Sequence, residues 1–289
     1  ALDSLDELED ITEIIVRSLD SLLDYQDYPL KSAEIASNNR RTLGIGVTNL
    51  AYYLAKNDAK YSDGSGNDLI HKTFEALQYY SLKASNKLAE ELGPCPLFSE
   101  TQYAKGIMPI DSYKKDIDAF CSTKLELDWD TLRKNIKSKG LRNSTLTALM
   151  PCESSSQISN STNGIEPPRG FISVKQSKDG ILKQVVPEYE KLHKKYELLW
   201  DIKDNEGYLQ LCAIMQKFVD QSISTNTHYD PSQFEGSRVP MKLFLMDLLK
   251  AYKYGIKTLY YHTTRDGSGD DQNNTKQGDD DCEDGVCKL

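Results

Sequence analysis

The chain ends in QGDDDCEDGVCKL, which places Cys282 and Cys287 with four residues between them in a stretch with almost nothing apolar to bury them. Two thiols so placed can do thiol–disulfide exchange. Gly285 lets the backbone between them turn, so the sulfurs can reach bonding distance. A zinc reading fails for lack of a second ligand pair. The carboxylates of Asp281, Glu283 and Asp284 oppose thiolate formation, so activation must come from whatever the tail docks against. The linker from Gly267 to Cys282 is rich in Gly, Asp, Asn and Ser. As a flexible coil it would span about 20 Å, and tethering would hold the thiols at an effective concentration on the order of mM. A plain acidic tail would explain the carboxylates, but not two terminal thiols in a chain with four other cysteines.

Two further stretches carry candidate chemistry. In LMPCESSSQIS, Pro151 halts an apolar run, and Cys152, Glu153, Ser154 and Ser155 stand where a helix would begin. The unpaired amides of a first helical turn, together with hydroxyl donors, can hold a phosphate. The same residues also read as an ordinary helix start with spare serines, and Glu153 repels an anion unless it points away. In KTLYYHTTRDG, the adjacent Tyr260 and Tyr261 could relay an electron and a proton if their rings stack and are buried. Neighbours on a regular strand project to opposite faces, so stacking requires a departure from strand geometry. Core or interface packing is the competing reading, because tyrosine is abundant and two more such pairs occur, Tyr52–Tyr53 and Tyr79–Tyr80.

The elements that must position these residues are readable from periodicity. Ser4 and Glu7 form a capping box, and Leu5, Leu8, Ile11, Ile15, Leu19, Leu22 and Leu23 make one face of a helix running to about Tyr25. A second long helix covers about 67–92 and stops at GPCP, while RRTLGIGVTNLAYYLAKN passes from a short apolar segment into another helix. Beyond residue 141 come a β-tolerant run, STLTALM, and two β-like runs around KDG that signal a hairpin. Helices follow at about 188–201 and 207–222, then a short STNTHY. A helix from about Met241 to Tyr254 stops at Gly255, and the run IKTLYYHT closes the order. Alternating strands and helices point to an α/β fold with parallel strands. The chain divides into a mainly helical part (1–140), a strand–helix part (141–265) and a disordered acidic tail (266–289).

Residues 266–289 carry eight acidic side chains and two lysines, a net −6 of the chain's −9, so the body is nearly balanced. Neither part suits a nucleic acid backbone. No apolar run is long enough for a membrane span, and the acidic, amphipathic start is not a signal peptide. Cys212 reads as a small buried hydrophobe, Cys95 and Cys121 as incidental, and a reduced cytoplasm as the compartment.

Five motifs in order, RRTLGIGV, GLRNSTLTALMPCESSSQISNSTNGIEPPRG, EGYLQL, YKYGIKTLYYHTTRDG and CEDGVCKL, resemble the C-terminal part of the large (α) subunit of class I ribonucleotide reductase. They span nearly the whole chain, and the ordered set is highly specific. The resemblance implies the C-terminal half of a ten-stranded α/β barrel with many helices, and an enzyme that reduces ribonucleoside diphosphates by thiyl-radical chemistry. It assigns Pro151, Cys152, Glu153, Ser154 and Ser155 to substrate binding, with Cys152 standing where the family has a serine. Tyr260 and Tyr261 become a radical relay from the small (β) subunit. Cys282 and Cys287 become the pair that reduces the active-site disulfide and is itself reduced by thioredoxin or glutaredoxin.

The family's thiyl cysteine, its neighbouring asparagine and glutamate, and the two cysteines of the active-site disulfide have no counterpart in these residues. The expectation is therefore one piece of a split large subunit, active only with a complementary N-terminal chain. Ala1 fits removal of an initiator methionine from a separately translated gene, and a trimmed chain would look the same. No cofactor or metal is expected in this chain: the metal/radical cofactor belongs to the small subunit, and nucleotide effectors to the missing N-terminal part. The alternative is a non-catalytic interaction module that docks the small subunit or thioredoxin. An adenosylcobalamin-dependent reductase would not need the tyrosine pair, and a free-standing redox carrier would need only the tail.

Overall fold

The computed structural model describes residues 5–177 and 180–265, and the tail with Cys282 and Cys287 lies outside them. The first helix, α1 (Leu5–Tyr25), packs along the longest, α4 (Asn67–Leu92). The ion pairs Lys83–Glu9 at 2.6 Å, Lys87–Glu13 at 2.8 Å and Arg17–Glu91 at 2.6 Å run along that seam. The fully buried stripe of α1 is Leu8, Thr12, Val16 and Asp20, every fourth residue. The apolar face expected from sequence holds in part: Leu8 is buried and Ile15, Leu19 and Leu23 pack against the core, but Leu22 is 54% exposed, and the polar Thr12 and Asp20 are inside. Thr12 satisfies its hydroxyl on the Leu8 carbonyl. Asp20 meets Arg41 at 2.7 Å, Arg142 at 3.1 Å and the Asn143 amide at 2.9 Å, so a buried charge is paired on every side.

The short helix α2 (Lys31–Arg40) buries no residue, and its chain turns into the first β segment through Arg41, at φ +47°. Helix α3 (Leu50–Lys56) follows that segment. Helix α5 (Trp129–Lys139) starts where Asp128 accepts the Thr131 amide at 3.0 Å and ends at Gly140, φ +84°. These cap signals stand in the sequence. The hairpin of β1 (Ile172–Ser177) and β2 (Gly180–Val185) is antiparallel, with Ser177 opposite Gly180.

The helix expected over 188–201 shrinks to α7 (Tyr189–Leu192) and a single turn at Leu199–Asp201. Tertiary bonds outweigh its local preference: the Glu197 carboxylate accepts the amides of Tyr61 at 2.8 Å and Ser62 at 3.1 Å, drawing the segment off a helical path. Helix α8 (Glu206–Phe218) is buried along nearly its whole length and ends four residues before the expected stop. Helix α9 (Met241–Tyr254) ends at Gly255, φ +79°, as the sequence indicates.

Four segments lie side by side and parallel. Ile45 bridges Thr147, Leu149 bridges Ile223, and β3 (Thr225–Tyr229) pairs with β4 (Leu259–Thr264). Spatial order follows chain order, with helices in the connections, which is the α/β arrangement expected. Among the described residues the array is open and does not close on itself. Its inner segments are anchored by Asp220. This half-buried carboxylate accepts the Leu146 amide at 2.9 Å, the Thr147 amide at 3.0 Å and the Tyr103 hydroxyl at 2.9 Å. Burial pushes its pKa up, and those donors pull against the rise.

Candidate functional site

The turn after the second parallel segment is built as the sequence suggests. Helix α6 (Glu153–Ile158) begins behind Cys152, and its first internal bond runs from the Ser156 amide to the Cys152 carbonyl, 2.9 Å. The amides of residues 153–155 therefore precede the helical ladder and point out of its end. Pro151, Glu153, Ser154 and Ser155 are exposed, whereas Cys152 and Ser156 are buried. The Cys152 amide donates to Asn163 Oδ1 at 3.0 Å and its thiol to the Met150 carbonyl at 3.2 Å, so the residue serves the turn's shape. Burial raises the Cys152 pKa, and the Ser155 hydroxyl only partly offsets this. The other described thiols behave alike: burial lifts Cys95, takes Cys121 to about 11 and Cys212 to about 12. None of these four is a thiolate at neutral pH.

Tyr260 and Tyr261 do stack, through a β-bulge. Thr225 is opposite Leu259 but Thr227 is opposite His262, so two steps on β3 match three on β4. The extra residue breaks the two-residue alternation and brings neighbouring rings to the same side. Their centroids are 4.0 Å apart at 48°, and the Tyr261 hydroxyl donates to the Tyr260 hydroxyl at 3.1 Å. The two rings are 50% and 57% exposed in this chain, not buried as a relay would be expected to be. Around the bulge, the Tyr261 amide donates to Asn226 Oδ1 at 2.9 Å, and Thr227 Oγ1 lies 2.6 Å from His262 Nδ1. Asn205, at the start of α8, fixes β3 by accepting the His228 amide at 2.9 Å, and it donates to Asp247 of α9 at 2.8 Å.

Register brings the turn and the tyrosines together. Two residues on from the Leu149–Ile223 bridge, Pro151 is level with Thr225, which is itself opposite Leu259. With neighbouring strands about 4.8 Å apart, two strand spacings, about 10 Å, separate the line of the Leu149 segment from that of β4 across β3. Sequence reading missed the residues in between. Asn226 donates through Nδ2 to Glu166 Oε1 at 2.5 Å, and His228 Nε2 is 3.5 Å from the same oxygen. The alternation of β3 puts Asn226 and His228 on one face, and this pattern was the available signal. Glu166 lies in NGIEPPRG, far away in sequence, and nothing local announces the contact. Cys282 and Cys287 lie outside the described residues. Among the described residues no cluster of three or more His, Cys, Asp or Glu could hold a metal ion, and no helix is long and apolar enough to cross a membrane.

Comparison with known proteins matches residues 2–262 to the family model described as ribonucleotide reductase, barrel domain. Over 288 residues the chain is 65% identical to ribonucleoside-diphosphate reductase subunit alpha of Haemophilus influenzae, covering 100% of this chain and 38% of that protein. The match to ribonucleoside-diphosphate reductase 1 subunit alpha of Escherichia coli is 64% over 269 residues, 92% of this chain and 35% of the relative. The alpha subunit of Enterobacteria phage T4 is 52% identical over 287 residues, 98% of this chain and 37% of that protein. The chain thus spans little more than a third of the length of these relatives. It belongs to the ribonucleotide reductase barrel-domain family, as a part of the large subunit.

Proposed function

We propose that this chain supplies three working parts of a ribonucleoside-diphosphate reductase large subunit. These are the turn that holds the substrate's phosphates and ribose, a tyrosine relay and a dithiol tail. The reading rests above all on the bulge that puts the Tyr260 and Tyr261 hydroxyls 3.1 Å apart. At that separation a phenoxyl radical on one ring can take a hydrogen atom, electron and proton together, from the hydroxyl of the other. The radical moves on by one residue with no bond to carbon made or broken. Glu153, Ser154 and Ser155 offer amides and hydroxyls to a diphosphate.

In this reading the open parallel array is the C-terminal half of a ten-stranded barrel, completed by the N-terminal part of a large subunit. That part brings the thiyl cysteine, the cysteine pair that becomes oxidised in turnover, and the sites for nucleotide effectors. The metal/radical cofactor resides in a small subunit, and the enzyme works in the cytoplasm. Cys282 and Cys287 carry electrons from thioredoxin or glutaredoxin, which fits a body whose own described thiols all have their pKa values raised by burial. Half-exposed tyrosines also fit, because a relay that starts on another subunit must be covered by that subunit.

The test is CDP reduction by this chain mixed with an N-terminal large-subunit part and a small subunit. Turnover is expected only with all three present. Replacing both Cys282 and Cys287 with serine should abolish thioredoxin-driven turnover. Turnover by this chain alone, or unchanged thioredoxin-driven turnover in the double serine variant, would defeat the proposal.

A further inference from the structure

We propose that Asn226 and Glu166 are positioning residues that hold the tyrosine pair in register; the inference rests on the relay reading above. The bulge at Tyr260–Tyr261 adds one residue to β4 without adding a partner on β3, so the amide of Tyr261 loses its place in the ladder. Asn226 Oδ1 accepts that amide at 2.9 Å and stands in for the missing backbone carbonyl. Its other end, Nδ2, donates to Glu166 Oε1 at 2.5 Å.

These two neighbours dictate the residue. A backbone N–H only donates and an ionised carboxylate only accepts, so the side chain between them must accept at one atom and donate at the other. The orientation of the Asn226 amide is thereby fixed by its partners. Aspartate has no donor for Glu166, serine is too short to reach both ways, and leucine satisfies neither. Glu166 is itself held in the acceptor form. Burial would raise its pKa, but His228, Asn226 and Arg169 outweigh that and hold it below the usual carboxylate value.

The consequence is geometric. Asn226 locks the backbone of Tyr261, and the Thr227–His262 contact at 2.6 Å locks the next residue, so the bulge is pinned on both sides. Without the first pin the extra residue can slide along β4. A slide of one position returns the two rings to opposite faces. Radical transfer then loses its hydroxyl-to-hydroxyl contact, while the substrate turn on the other side of β3 keeps its own anchors at Asn163 and Met150.

The test uses the reconstituted complex of this chain, an N-terminal large-subunit part and a small subunit. Asn226→Ala and Asn226→Asp should each lower kcat at least tenfold and leave KM for the nucleoside diphosphate within twofold. Glu166→Gln alone should lower kcat less, since its amide can still offer an oxygen to Asn226. The decisive variant is the double exchange Asn226→Asp with Glu166→Gln. There the glutamine amide donates to the aspartate, and the aspartate accepts the Tyr261 amide, so kcat should return to within threefold of the unmodified complex. A merely structural defect at Asn226 would not be repaired by a second substitution chosen for donor and acceptor sense. Tyr260→Phe serves as the control for the relay itself. If Tyr260→Phe is inactive while Asn226→Ala keeps kcat within twofold, the positioning role is wrong and the relay stands. If the single variants fail and the double exchange does not recover, the positioning role is also overturned. If Tyr260→Phe remains active, the relay reading falls and this inference with it.

Discussion

Two adjacent-tyrosine pairs of identical sequence behave differently in this protein. Tyr79 and Tyr80 lie on α4, where neighbours project about 100° apart. Their centroids are 5.5 Å apart with rings edge-on at 84°, and Tyr79 leans its edge on Trp129 at 5.4 Å. Tyr260 and Tyr261 lie on β4, where ideal geometry would separate them by 180°, yet their centroids are 4.0 Å apart and their hydroxyls touch. A third pair, Tyr52 and Tyr53 on α3, parts company altogether: one hydroxyl goes to Glu188 at 2.6 Å and the other to Thr73 at 3.0 Å. The dipeptide therefore carries no chemistry of its own. What brings two phenol hydroxyls together is the bulge, and Asn226 and Thr227 of β3 contact it.

The largest effect expected from this contrast is on turnover. Tyr260→Phe removes one of two touching hydroxyls and should abolish nucleotide reduction in the reconstituted complex, a loss of a thousandfold or more. Tyr80→Phe, in the packing pair, should leave kcat within twofold. Equal losses in both would erase the distinction between the pairs.

A second expectation separates exposed from buried phenols by pH. Burial pushes Tyr61, Tyr103 and Tyr208 well above the ordinary tyrosine value, so in the folded chain they keep their protons where the unfolded chain loses them. A raised folded pKa contributes stability that is complete below about pH 10 and falls away above it, because the unfolded state then binds fewer protons. Urea midpoints measured from pH 8 to pH 11 should hold steady and then drop above pH 10. The absorbance of ionised phenol should appear in two stages, the second accompanying unfolding. A single smooth stage with no change in midpoint would show that the inner tyrosines reach solvent.

The smallest expected effect tests the second pin of the bulge. Thr227→Val keeps the shape and β preference but deletes the hydroxyl that meets His262, and it should cost about 1 kcal/mol in urea unfolding. Turnover should fall only a few-fold, since Asn226 still holds Tyr261. A loss as large as that of Asn226→Ala would move the main anchor from Asn226 to Thr227.

How far the sequence could be read depended on how local each cause is. The limits of α1, α4 and α9 follow from periodicity and from stops at Gly93 and Gly255, and the order of motifs was enough to identify the family. The hairpin followed from its turn residues in the same way. The helix expected over 188–201 failed because two backbone amides at Tyr61 and Ser62, well over a hundred residues away, compete for Glu197. The interior side of α1 is legible only in part for a related reason: Asp20 is polar in sequence, but Arg41, Arg142 and Asn143 make it a core residue.

By itself, then, the sequence determined which residues could do chemistry: the Pro151–Ser155 turn, Tyr260 with Tyr261, and the terminal thiols Cys282 and Cys287. It also determined the alternation of helices and strands around them, because helix caps, turn residues and apolar spacing act within a few residues. Only the tertiary structure decided that Tyr260 and Tyr261 stack while Tyr79 and Tyr80 do not, and that Asn226 and Glu166 stand beside them. Strand register is a long-range property: one residue more on β4 than on β3 reverses which side a ring faces, and no local stretch of chain records which partner it will meet.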